Sequence, residues 1–183
     1  MKKFSKVVLC LAATAMLGGC AKTVTPEEAK KSIATMKIED VKATSGEMTT
    51  KVEKLSGEGS YGKQLIALSA TVGLVEGAEK KTEIKDLSEY FLTVEAIDSA
   101  VALMGDKLVI KQDGTAFSFS GSYEQSVTAE DSDFDIAYSV AVSQEISYRA
   151  DGLPSSSFSK QKMTFGDADT FELNLSVSFS WIE

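Results

Sequence analysis

Three groups of residues in this chain have types and spacings that could do chemistry. Ser157-Phe158-Ser159-Lys160 places a hydroxyl and an amine three residues apart, the S-x-x-K spacing of an acylatable serine with a lysine base. That chemistry needs the pair on the first turn of a helix, together with separate S-D-N and K-T-G elements. Here the segment reads as strand and neither element is present, so the match is chance. Asp131, Asp133 and Asp135 have the first three ligand spacings of a calcium loop. The sixth position, however, is Ile136 where glycine makes the sharp turn, and the twelfth is Val142 where a bidentate glutamate belongs. Asp167, Asp169 and Glu172 form a second acidic turn, and a weak divalent site shared between the two loops stays open at this point. The count of histidines is 0. That excludes a Ser-His-Asp triad, a Cys-His pair and a histidine-ligated zinc. Asn174-Leu175-Ser176 is a glycosylation sequon in form, but it falls within a strand pattern and carries no information.

The third group is the cysteine at position 20 and what precedes it. Lys2, Lys3 and Lys6 make a basic start, an apolar run follows from Val7 to about Met16, and Leu17-Gly18-Gly19-Cys20 ends it. A basic segment, a short apolar segment and a small-residue exit describe a secretory signal. The apolar run is too short for a membrane span, which needs roughly 20 apolar residues. Leu-Gly-Gly-Cys resembles the bacterial lipobox, in which the cysteine is lipidated and becomes the first residue. The resemblance implies residues 1–19 as signal peptide, 20–24 as lipidated tether and 25–183 as one domain. It also implies a diacylglycerol, with palmitate-type acyl chains, on Cys20. Two acyl chains hold stably where one binds only marginally. The expected location is the cell membrane, or the outer membrane in a two-membrane organism, since Ala21 rather than aspartate follows the cysteine.

Removing the signal leaves Cys20 as the only cysteine, so no disulfide can form within the domain. The 19 basic residues less Lys2, Lys3 and Lys6 leave 16 against 27 acidic ones, a balance of −11. Such a chain repels nucleic acid and anionic head groups, so no nucleic-acid partner is expected. Neither a cofactor nor a metal is expected, and the expected state is a monomer.

The elements around these residues follow from periodicity. Thr25-Pro26-Glu27-Glu28 is a capping box with proline at the first helical position, opening a helix over 26–36 with Ala29, Ile33 and Met36 on one face. From Ser45 the pattern alternates as β, with a turn at Gly57-Glu58-Gly59. Gln64–Val75 lacks a polar face and reads as a buried strand. Residues 76–85 are charged, with a turn at Glu76-Gly77. Asp86-Leu87-Ser88-Glu89 caps a second helix over 87–104, with Tyr90–Val94 its most strand-like part. Beyond Gly105 the chain is all β: a hairpin about Asp113-Gly114, a long strand from Phe134 to Tyr148 broken only by Gln144, a turn at Asp151-Gly152-Leu153-Pro154, a strand over 155–165 with a bulge implied by the parity of Phe158 against Met163 and Phe165, and a closing strand from Phe171 to Trp181. The fold class is therefore mainly β (α+β): a long, curved, half-barrel-like antiparallel sheet with an N-terminal helix and one inserted helix.

The residues Lys107–Phe119 around Asp113-Gly114, and Tyr148–Lys162 around Gly152-Leu153-Pro154, complete a layout that resembles the LolA/LppX-like lipoprotein superfamily. That resemblance implies a half-barrel lidded by helices that holds lipid or lipoprotein acyl chains without catalysis. Phe91, Val94, Phe117, Phe119, Phe134, Tyr138, Phe179 and Trp181 are then the expected lining of a hydrophobic cavity. The same residues could equally fill a solid core. The competing expectation is accordingly a structural or interaction lipoprotein that shows the serine-rich sheet face to a partner.

Overall fold

The computed structural model describes residues 21–132 and 136–183. Eight strands form a single open antiparallel sheet in the order β1-β4-β5-β6-β7-β8-β2-β3. They are β1 (Lys22–Val24), β2 (Ser45–Glu58), β3 (Glu79–Ile84), β4 (Val109–Asp113), β5 (Ala116–Val127), β6 (Tyr138–Tyr148), β7 (Pro154–Phe165) and β8 (Asp169–Ile182). Three α-helices accompany them: α1 (Pro26–Ile33), α2 (Gly59–Thr71) and α3 (Val94–Met104). The protein is thus mainly β, as the alternation of its sequence predicts.

The order of the strands explains where the helices go. Strands β4 to β8 are a meander of sequential hairpins, and β2 adds to its far side while β1 adds to its near side. The chain must therefore cross the sheet from β1 to β2 and return from β3 to β4. Helix α1 lies on the outward crossing and α3 on the return. They meet through Lys30, which is ion-paired with Asp98 and with Glu27.

Both helices cover one face. Along β8, Phe171, Leu175 and Val177 are buried on that face, while Glu172, Asn174, Ser176, Ser178 and Ser180 lie on the other. The main core forms where α1 and α3 press Ala29, Ile33, Leu92 and Ile97 onto Val24, Ile110, Phe117 and Phe119. Fully burying such a side chain is worth roughly 1.5–3 kcal/mol. The uncovered face carries serines, lysines and glutamates in facing rows, for example Ser122, Ser143, Lys160 and Asn174 on four adjacent strands.

The capping box of α1 forms as expected. Thr25 Oγ1 accepts from Glu28 N at 3.3 Å, and Thr25 N donates to Glu28 Oε2 at 2.8 Å. The helix stops at Ile33, short of the expected 36, although Met36 still packs on the core. Residues 22–24, expected as free tether, instead pair with β4, and Val24 is buried there.

The largest departure lies at 59–75. The expected buried strand over Gln64–Val75 is the helix α2, and the expected turn at 57–59 is the end of β2 running into that helix. Alanines and leucine favour helix, but the decisive residues are glycines. Gly57 and Gly62 lie so close that a Cβ on Gly57 would sit 2.4 Å from the Gly62 carbonyl oxygen. A helix can press onto β2 only because neither residue carries a side chain. With Leu65 and Ile66 only half-buried and Leu68 58% exposed, the segment lacks a polar face because part of its apolar surface stays in contact with solvent.

The predicted helix over 87–104 divides. Leu87–Glu89 is one 3-10 turn capped by Asp86, and α3 begins afresh at Val94 with Thr93 as N-cap, its hydroxyl accepting from Ala96 N at 3.3 Å. Between them Leu92 N donates to Gly152 O at 2.9 Å, which ties the break to the β6–β7 turn. Residues 79–84, read only as charged, form the edge strand β3, whose lysines and glutamates shield an open sheet edge. No bulge separates Phe158 from Met163. Phe158 simply occupies the uncovered face, with Lys160 Nζ 5.4 Å from its ring centre, and the register shift of this hairpin comes at Ser147/Tyr148 instead.

Candidate functional site

The covered face holds a groove between α3 and the β5–β6 hairpin, made of two adjoining hollows. One, of about 320 Å3, is lined by Glu89, Tyr90, Phe91, Glu95, Ile146 and Tyr148 among others. The second, of about 380 Å3, lies over Leu92, Ala100, Leu103, Leu108, Phe119 and Gln144. Glu89, Ala96, Ser99, Ile146 and Tyr148 line both, so the two adjoin.

The groove exists for a local reason. Helix α3 turns small residues, Ala96, Ser99 and Ala100, toward the hairpin, which leaves the space above Ile146 and Tyr148 unfilled. At the helix's other end the approach is close: a Cβ on Gly121 would lie 2.5 Å from Met104 Sδ. The helix is thus pinned at its C-terminal end by Met104 against Gly121 and at its buried face by Ile97, and it stands away from the sheet between them. Phe91, in the groove's wall, packs on the turn at Gly152, whose φ is 82° and where a side chain would meet the ring at 2.7 Å.

The expected lining residues separate into four places. Phe91 and Phe119 do line the groove, one in each hollow. Phe117 is wholly buried beside it, stacked on Phe119 with ring centres 6.1 Å apart, and Val94 packs on the same core. Phe179 and Trp181 stack on each other at 5.9 Å, with Tyr90 edge-on to both, and Trp181 Nε1 donates to Pro154 O at 2.7 Å. Tyr138 belongs to a distant cluster, 5.3 Å from Phe165, which stacks in turn on Tyr61 of α2. Phe134 and Cys20 lie outside the described residues. Glu89, Tyr90, Ala96, Ser99, Gln144, Ile146 and Tyr148 were not anticipated as a set. Two signals for them were present: the break in alternation at Gln144, and the run of small residues along α3.

Of the other candidate chemistries, the S-x-x-K pair and the second acidic turn dissolve on the geometry, while Asp133 and Asp135 of the first acidic loop lie outside the described residues. Ser157 is fully buried on the covered face and Lys160 is exposed on the opposite one, so the S-x-x-K pair never meets. Among the described residues the Ser157 hydroxyl has no hydrogen-bond partner. Asp169 serves α2: its Oδ2 accepts from Tyr61 N at 2.8 Å, and its carboxylate occupies the place where a Gly59 side chain would project. Glu172 faces the other way and pairs with Lys54 and Lys162, its carboxyl held below the usual range chiefly by the Lys54 hydrogen bond. Asp131 closes a turn by accepting from Thr128 Oγ1 at 2.9 Å. Among the described residues no group of three or more acidic or cysteine side chains converges to hold a metal ion. Nor, among them, is any helix long and apolar enough to cross a membrane.

The fold and groove define a one-sheet α+β protein with its helices on one face. Compared with family models, curated proteins and solved structures, the chain matches none.

Proposed function

We propose that this chain is a cell-envelope lipoprotein, exported and held at the membrane through lipid on Cys20, whose domain binds a hydrophobic ligand without catalysis. The ligand class is an acyl chain of a lipid or of another lipoprotein. The observation that supports this reading is the groove between α3 and β5–β6, floored by Leu92, Leu108, Phe119 and Ile146, whose two adjoining hollows measure about 320 and 380 Å3. Each methylene moved there from water contributes roughly 0.8 kcal/mol, so about eight of them gain roughly 6 kcal/mol before ordering costs. The acidic balance of −11 keeps the domain from adhering to anionic head groups, leaving the groove free to receive a chain from them.

Native mass spectrometry of the mature chain carrying Cys20→Ser tests the reading. A co-purifying lipid, or uptake of an added neutral monoacylglycerol that Ala96→Phe abolishes, supports it. An apo mass with no uptake of lipid or hydrophobic dye would sink it and favour a structural lipoprotein with a filled core. Anchoring is tested apart: labelled palmitate should enter the native chain and not Cys20→Ser.

A further inference from the structure

We infer that the ligand of this groove carries a positively charged head, an alkyl ammonium group, at the end of its apolar chain. The inference rests on the reading of the groove as a hydrophobic-ligand site and goes beyond it to the chemistry of the head. The two hollows differ in character. The larger is apolar over most of its floor, whereas the smaller is walled by the rings of Tyr90, Phe91 and Tyr148. Across both, the only charged residues in the lining among the described ones are Glu89 and Glu95, with no lysine or arginine. Among the described residues neither carboxylate has an ion-pair partner.

Aromatic faces and unpaired carboxylates are the two groups that attract an ammonium, the first through the ring quadrupole and the second through charge. An anionic head would meet repulsion from both. The first turn of a helix ordinarily draws an anion, but Glu95 lies in that turn of α3 and Thr93 already accepts from Ala96 N, so the role is filled from within the chain. An apolar trough leading to an aromatic, acidic end therefore suits an amphipathic cation, tail under Leu103 and Leu108, head against Tyr90 and Tyr148.

Three single-chain probes with one tail separate head from tail: dodecyltrimethylammonium, dodecyl maltoside and dodecyl sulfate, each below its micelle concentration. The mature Cys20→Ser chain contains a single tryptophan, Trp181, whose ring centre is 6.3 Å from that of Tyr90, so its fluorescence reports occupancy. The ammonium should bind about 10-fold or more tighter than the maltoside, and the sulfate more weakly than either. Glu89→Gln with Glu95→Gln should erase that preference while maltoside binding stays. Glu79→Gln with Glu83→Gln, the same charge change made on β3, should leave it intact.

Equal or tighter binding of the sulfate overturns the inference and leaves the hydrophobic site standing. So does an ammonium preference that survives in the Glu89/Glu95 variant, or one lost equally in the β3 variant. Failure of all three probes to bind removes the hydrophobic site itself, and the inference with it.

Discussion

Replacing Gly62 by alanine should destabilise the protein, although the same change in an isolated helix stabilises it. Gly62 lies inside α2, where glycine is about 1 kcal/mol worse than alanine. Propensity alone therefore predicts a gain. The seating of the helix opposes it: a Cβ at this position would stand 2.2 Å from the Thr170 carbonyl oxygen and 3.0 Å from Gly57 C, both backbone atoms that cannot rotate aside. Reaching ordinary contact requires α2 to lift by about an ångström from β2 and β8, and overpacking of that kind costs roughly 1–3 kcal/mol. An approach of 2.2 Å to backbone belongs in the upper half of that range, so the net expectation is a loss of about 1–2 kcal/mol, or roughly 2–8 °C in Tm for a domain of this size.

Urea and thermal unfolding of the mature Cys20→Ser chain measure the effect, with Ala67→Gly on the exposed side of α2 as companion. That companion should lose about 1 kcal/mol through helix propensity alone. A Gly62→Ala variant as stable as the parent, or more so, would refute the close seating of α2 on β2. If Ala67→Gly also had no effect, residues 64–71 would not be helical, and the strand pattern of the sequence would regain its standing.

Ser157→Ala should leave stability unchanged or raise it by up to about 1 kcal/mol, because it removes a buried hydroxyl that makes no hydrogen bond; a marked loss in urea unfolding would show that the hydroxyl has a partner. Asp169→Ala should cost about 1 kcal/mol, since Tyr61 N at the start of α2 loses its acceptor, and amide exchange in α2 should rise before that in β8. The Glu172 carboxyl, held low chiefly by Lys54, should titrate in NMR below the ordinary glutamate value of 4.5, and Lys54→Met should move its midpoint upward. Its folded-state value is depressed, so its stabilisation is present above the unfolded pKa and fades as pH falls through the folded one; an unchanged midpoint in Lys54→Met would contradict the pairing.

Much of the fold was legible because strands announce themselves by period two. The closing strand from Phe171 to Trp181 needed no tertiary information: one parity is apolar and the other polar throughout, so only one face could meet the helices. The capping box at Thr25 and Glu28 was equally local, since every atom of it lies within one turn. For the site, the periodicity placed Phe91 and Phe119 on apolar surfaces but gave no way to tell them from Phe117, which is sealed, or Tyr138, which belongs to the far cluster. Parity assigns a face, whereas a groove depends on how far a helix stands above that face. That distance is set by Ala96, Ser99, Ala100 and Gly121, whose small size is visible in sequence but whose juxtaposition is not.

The residues 59–75 mark the boundary most clearly. An apolar segment without periodicity is compatible with a buried strand or a packed helix, and local propensity does not separate them. The contact between Gly57 and Gly62, and the carboxylate of Asp169 arriving from the far end of the chain to receive the helix start, decide for helix. The sequence by itself determined a one-faced antiparallel sheet, its acidic charge and the absence of histidine chemistry, because pattern and composition are local properties. The third helix, the split before α3 and the groove were decided only by tertiary structure, because each rests on backbones brought together from distant parts of the chain.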